Sequence, residues 1–296
     1  MNEKREHLNM KNKIPNVLMC YDAEWVPCAR SGRRLYEIPN SEKDDVVFGR
    51  MWQEANATLD NPQPFLKLAI SEVVSICAVE RRCSGNGPEF ELMSWPKRAS
   101  MCSSEASLIE SFLEHVATES AQLVGYNSNG SDLPILIQRA IANGCTCPNF
   151  GRRPEKPWEG NDYLSRYGDS NLDLMQAFSL SAGRGAASPS MHEMANACGI
   201  PGKLGTSGDN VAGLWLNGKH DEIIAYNETD ACTTYLLWLR YVRFRGLLDD
   251  YDARRERDAF RRYLEQLAPS KPHLVRFLEV WDSLREPGAK RASLAA

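Results

Sequence analysis

At 296 residues with 43% hydrophobic side chains, the chain can bury one large core or two modest ones, and its composition excludes disorder on a large scale. The net charge of −4 gives no general attraction to nucleic acid, although the sign is uneven: 13 Lys/Arg face 9 Asp/Glu from residue 236 onward, against 22 and 30 before it. No run approaches the roughly eighteen apolar residues of a membrane span, the first residues lead into polar sequence with no signal h-region, and the nine Cys contain no CxxC pair. A soluble cytoplasmic protein with neither zinc ribbon nor disulfide framework is therefore expected.

The run Ile14-Pro15-Asn16-Val17-Leu18-Met19-Cys20-Tyr21 reads as a buried strand leading into Asp22-Ala23-Glu24. Residues 27–66 are polar and irregular, and suit a divergent loop or insertion with a short helix near 46–55. A second strand is expected over 68–79. The turn residues of 84–88 and the alternation of 89–95 complete a hairpin with it beside the first strand. Leu108, Ile109, Phe112, Leu113 and Val116 form one helical stripe. Residues 122–126 form a short strand, and Asp132-Leu133-Pro134 opens a helix with Pro in its first turn.

An aromatic loop over 158–170 leads to the stretch 172–178. A Gly/Ala/Ser loop at 181–188, a helix near 191–198, a Gly-rich loop at 199–213 and a long helix over 220–244 follow. Two amphipathic helices occupy 251–284, and 286–296 reads as a frayed end. The order predicts an α/β fold, a mixed sheet with helices packed on it.

Strand geometry points Asp22 and Glu24 the same way. Two buried carboxylates side by side repel each other and lose solvation, and a divalent cation is the usual compensation. Taken alone, the triplet also suits an edge strand whose acids face water. Asp132 stands where a strand passes into a helix, as a site residue turned over the sheet end or as an N-cap. Tyr226 and Asp230 lie four apart, on one helix face.

Asp22 and Glu24, then Asp132, then Tyr226 and Asp230 in this order resemble the four-carboxylate 3'-5' exonucleases of the DnaQ/RNase H-like superfamily, in their tyrosine subclass. Gly125-Tyr126-Asn127 through Asp132-Leu133-Pro134-Ile135-Leu136 resembles the second exonuclease motif of family B polymerases. The stretches 171–175, 199–203 and 226–237 are similar to stand-alone PolB-like exonucleases. The resemblance covers about 17–240, without 27–66 and the tail. It implies an RNase H-like mixed five-stranded sheet flanked by helices, with an exonuclease domain over 14–246 and a C-terminal helical extension, 247–296, that is not an independent domain.

The resemblance further implies two Mg²⁺ or Mn²⁺ ions held by Asp22, Glu24, Asp132 and Asp230, with Asp22 bridging. Tyr226 would orient the attacking water; with a phenol pKa near 10 it is a poor general base. The implied partner is nucleic acid, DNA before RNA and single-stranded ends before duplex. A 3'-5' exoribonuclease and an inactive nucleic-acid-binding or scaffold protein on the same fold are the alternatives.

Two departures stand out. Trp25 replaces the usual Thr after the first pair, and Ser131 stands where an aromatic usually precedes the second-motif Asp. Trp25 suits stacking on a terminal base or plain core. Asn127 suits a nucleotide contact or a bond to the backbone beneath it, and Lys203 a phosphate contact or a solvated loop position. Asp173 reads as bonding backbone groups, with an outer carboxylate as the other reading. Residues 27–66 and the C-terminal helices are where a homodimer contact or substrate gating is expected, and repair, a mobile element or phage defence are candidate settings.

Overall fold

The structure, a computed structural model, describes residues 13–85, 87–101, 104–156, 159–165, 168–180, 185, 187–204 and 210–284. The frayed end expected at 286–296 lies outside these residues, as do parts of the aromatic loop and of both Gly-rich loops.

The apolar residues that follow Asn16 form β1 (Val17–Pro27), which has a hydrogen-bonded neighbour on each side. It runs antiparallel to β2 (Ser71–Ser84) and parallel to β4 (Gln122–Gly125). β3 (Gly87–Trp95) continues the β2 hairpin, and β5 (Asn171–Asp173) lies parallel to β4, giving the order β3-β2-β1-β4-β5. This mixed five-stranded sheet, flanked by helices, is the RNase H-like architecture.

Alternation along the strands divides the core. Met19, Tyr21, Ile76 and Ala78 pack against Ile109, Phe112 and Val116 of α3 (Glu105–Thr118) and Leu136 of α4 (Asp132–Asn143). Leu18, Cys20, Cys77 and Val79 face the other way, in one cluster with Tyr235, Leu236 and Leu239 of the long helix His220–Phe244. A buried Arg139–Glu105 pair, with contacts of 2.6 and 2.8 Å, joins α4 to α3.

Residues 27–66 hold two helices where the sequence suggested one: α1 (Ala29–Leu35) and α2 (Asp44–Glu54). At Gly32 the first packs closely on the second, because a Cβ there would run into Met51 and Val47 of α2. Such close helix contact is a tertiary effect that periodicity does not reveal. Leu68–Ile70 is a 3₁₀ turn, so β2 starts at Ser71. β1 starts at Val17, three residues later than expected, and places the acid pair within the strand.

Four short helices follow α4: α5 (Pro148–Gly151), α6 (Leu174–Ser179), α7 (Met191–Ala197) and α8 (Val211–Leu216). The last was read from sequence as part of a Gly-rich loop. The long helix is α9, and α10 (Asp250–Leu267) and α11 (Pro272–Ser283) are the last helices among the described residues. Phe260 of α10 lies 5.2 Å from Phe90 of β3 and 4.3 Å from Tyr235 of α9, centroid to centroid. No helix among the described residues is long and apolar enough to cross a membrane.

Candidate active site

Asp22 and Glu24 stand opposite Cys77 and Ser75 of β2, and the register shifts just beyond them, between Glu24 and Trp25. Irregularities of this kind re-aim side chains and recur beside active sites. Asp230 comes from the other direction, in the middle of α9. Ligand oxygens of Asp22, Glu24 and Asp230 all lie within 4.8 Å of one another.

Asp132 lines the same cavity of about 300 Å³ but stands outside that tight trio. Its Oδ1 accepts the Ala23 backbone N–H at 3.1 Å, between the two β1 acids, and its Oδ2 accepts the Ser131 hydroxyl at 2.8 Å. The turn that delivers it is tightly built. A Cβ on Gly125 would collide with Ser128, and Asn127 holds φ of 60°, the left-handed region that asparagine tolerates. Asp173, which caps α6, fixes this turn by accepting the backbone N–H groups of Asn127 and Asn129, both at 3.0 Å.

Glu24, Asp132 and Asp230 are 8, 4 and 3% exposed, so the acids gather with little water to separate their charges. Burial, followed by the charges of Asp132, Glu24 and Asp230, holds the Asp22 carboxyl well above its ordinary range. Burial and the Asp230 and Asp132 charges do the same to Glu24. Burial raises Asp132 to about 6 against the opposing hydrogen bonds of Ser131 and Ala23. Asp230 rises to about 7, again through burial, although the Tyr226 hydroxyl and the Lys203 charge pull it down.

The Tyr226 phenol is itself pushed far up by burial and by Asp230, Glu24 and Asp22, so it stays protonated. Lys203 is exposed, and its charge acts on Glu24 and Asp230; its backbone N–H donates to His192 Nδ1 at 3.0 Å.

One feature of the cluster bears directly on metal. Oδ1 of Asp230 is buried and has no hydrogen-bond partner among the described residues, a costly condition for a carboxylate oxygen unless a cation faces it. The donors are all carboxylate oxygens, the ligand type that hard divalent ions take. The residues present therefore fit a hard divalent cation.

Asp22, Glu24, Asp132, Tyr226 and Asp230 all line one cavity, with Trp25 at its side. Asn127, Lys203 and Asp173 are not among its lining residues; Asp173 lines a separate cavity beside β5 and α9. Sequence reasoning did not find Trp52, Gln63, Pro64, Phe65 and Leu66, which form the wall contributed by residues 27–66. The one available sign was an aromatic and proline-rich run closing an otherwise polar insertion.

A mixed β3-β2-β1-β4-β5 sheet flanked by helices, with acids from β1, the start of α4 and a late helix on one cavity, is the fold class of the DnaQ/RNase H-like exonucleases. The family described as predicted 3'-5' exonuclease related to the exonuclease domain of PolB matches residues 63–281, and the chain belongs to it. The match begins after β1, so Asp22 and Glu24 lie upstream of it, and it continues through α10 into α11. No curated protein matches the chain.

Proposed function

We propose that the protein is a metal-dependent 3'-5' exonuclease of the tyrosine subclass that removes nucleotides from single-stranded DNA ends. The observation that carries this reading is the trio of Asp22, Glu24 and Asp230 with ligand oxygens within 4.8 Å, together with the unpartnered Asp230 Oδ1. Asp22, Glu24 and Asp230 would hold the cations, two Mg²⁺ or Mn²⁺ in this reading, and Asp132 would complete the ligand set from the far side of Ala23. When bound, the ions supply charge neutralisation and Lewis-acid activation at the phosphodiester.

The chain's own groups divide the remaining work. Tyr226 is locked in its protonated form by its surroundings, so it positions the attacking water through hydrogen bonding and does not take its proton. Ser131 and the Ala23 backbone N–H hold Asp132 in one orientation. Lys203, exposed and with its charge acting on Glu24 and Asp230, would meet a phosphate of the incoming strand and help an anionic substrate approach an anionic site. Asn127 serves the turn that carries Asp132.

The test is a time course on 5'-labelled single- and double-stranded oligonucleotides, DNA beside RNA, with Mg²⁺, Mn²⁺ or EDTA. Stepwise shortening of single-stranded DNA from its 3' end is expected with either metal and not in EDTA. Faster loss of RNA would replace the DNA assignment. Equal activity of Asp22→Ala and the parent protein would overturn the nuclease reading.

A further inference from the structure

The cavity has two chemically different walls. One is acidic, and the other is built by residues 27–66 through Trp52, Pro64, Phe65 and Leu66. Phe65 is 74% exposed although it lines the cavity, and its ring stands edge-on to Trp25 at a centroid distance of 6.0 Å and an angle of 88°. What sets Phe65 apart from the other exposed apolar side chains is its place: it lines the cavity of the acids with most of its ring surface open to a ligand.

The loop is built to present the ring. Leu66, next in the chain, is buried against Val47 and Met51 of α2, so Phe65 is held outward by an anchored neighbour. Pro62 and Pro64 each fix their own φ and restrict the residue before them. Thr58 and Asn61 close the preceding turn through mutual bonds of 3.0 and 3.1 Å.

We infer that Phe65, braced by Trp25, is the stacking platform for the 3'-terminal base. Residues 27–66 are thereby part of the substrate site. This assignment rests on the exonuclease reading. An unpaired base is the occupant that suits both walls, with a π-face for the ring and an attached phosphodiester for the acids. It also supplies a reason for single-stranded preference, because a paired terminal base is already stacked and must be released first. The ring reads no base edge, so the platform accepts all four bases.

The experiment uses the full chain and a single-stranded oligonucleotide with a non-hydrolysable last linkage and 2-aminopurine at its 3' end. Binding is followed by anisotropy and stacking by quenching. Phe65→Ala should weaken binding about tenfold and relieve the quench, and Phe65→Trp should restore both. With an abasic 3' end, parent and Phe65→Ala should bind equally.

Unchanged affinity and quench in Phe65→Ala, or the same loss on abasic ends, would overturn the assignment while an active parent enzyme kept the exonuclease reading intact. A parent protein that neither bound nor shortened any oligonucleotide would overturn the exonuclease reading itself. Because Phe65 is largely in water, the melting temperature of Phe65→Ala should match that of the parent, which separates lost stacking from lost folding.

Discussion

Arg81 of β2 grips Glu256 of α10 through two hydrogen bonds of 2.8 and 3.0 Å, with side chains 4 and 5% exposed. Tyr235 of α9 donates to the same carboxylate at 3.0 Å. The pair ties the sheet to a helix 175 residues away in sequence. Glu256→Gln leaves the guanidinium buried without its counter-charge, and should destabilise the protein by about 3 kcal/mol in urea unfolding. A chain ending at residue 246 should fail to give a cooperative transition, since it leaves Phe90 and Tyr235 without Phe260.

Asp230→Asn removes one charge from the trio at little change in volume. Activity should fall at least a hundredfold, and without metal the variant should be more stable than the parent, by about 2 kcal/mol, because repulsion is relieved. Calorimetry with and without Mg²⁺ checks both halves: the ion should raise the melting temperature of the parent more than that of the variant. A metal-free variant less stable than the parent would contradict the repulsive account of the cluster.

The raised carboxyls dictate how metal-free stability varies with pH. A free carboxyl titrates near pH 4, whereas Asp132 and Asp230 titrate at about 6 and about 7 in the folded protein. Between about pH 4 and 7 the folded state therefore binds more protons than the unfolded chain. The contribution of these groups to stability is complete below pH 4 and is lost as pH rises to 7. Thermal unfolding in EDTA across this range should show the decline, and Mg²⁺ should reduce it. The decline should shrink in Asp230→Asn.

Tyr226→Phe keeps the ring and deletes the hydroxyl. The turnover number should drop roughly tenfold to a hundredfold with KM little changed, as expected for a group that positions water. Burial and the neighbouring acids raise the phenol of the metal-free site, and a positioning role predicts that any alkaline limb of the parent's pH profile persists in the variant. Its disappearance would make Tyr226 a proton acceptor and refute the positioning role.

Lys203→Ala tests the phosphate contact. Affinity for single-stranded ends should fall uniformly across sequences, and the salt dependence of binding should lose about one ion's worth of slope. An unchanged slope would return Lys203 to a solvated loop position.

Local rules exposed much of the site. Two-residue periodicity aligned Asp22 with Glu24, four-residue spacing aligned Tyr226 with Asp230, and the passage from strand to helix marked Asp132. Each depends on neighbours in sequence, which periodicity encodes. What stayed hidden depends on distant partners. Asp132 is held by the backbone of Ala23, 109 residues earlier. Gly32 lets α1 pack closely on Met51 of α2. Phe65 shares a cavity with the acids and packs on the ring of Trp25, relations between residues far apart in sequence. Even the strand holding the acids differs at its edges from the sequence pattern, because Ile14 and Pro15 extend the apolar run although β1 begins at Val17, and β1 runs on to Pro27.

β1 is bonded on both sides, to β2 by one edge and β4 by the other, yet it lies upstream of the stretch that matches the family. A polypeptide trimmed to that match would keep Asp132, Tyr226 and Asp230 but lose the keystone between two half-sheets. Both halves would then carry raw hydrogen-bonding margins open to self-association. An intact sheet therefore requires a polypeptide that starts before residue 17.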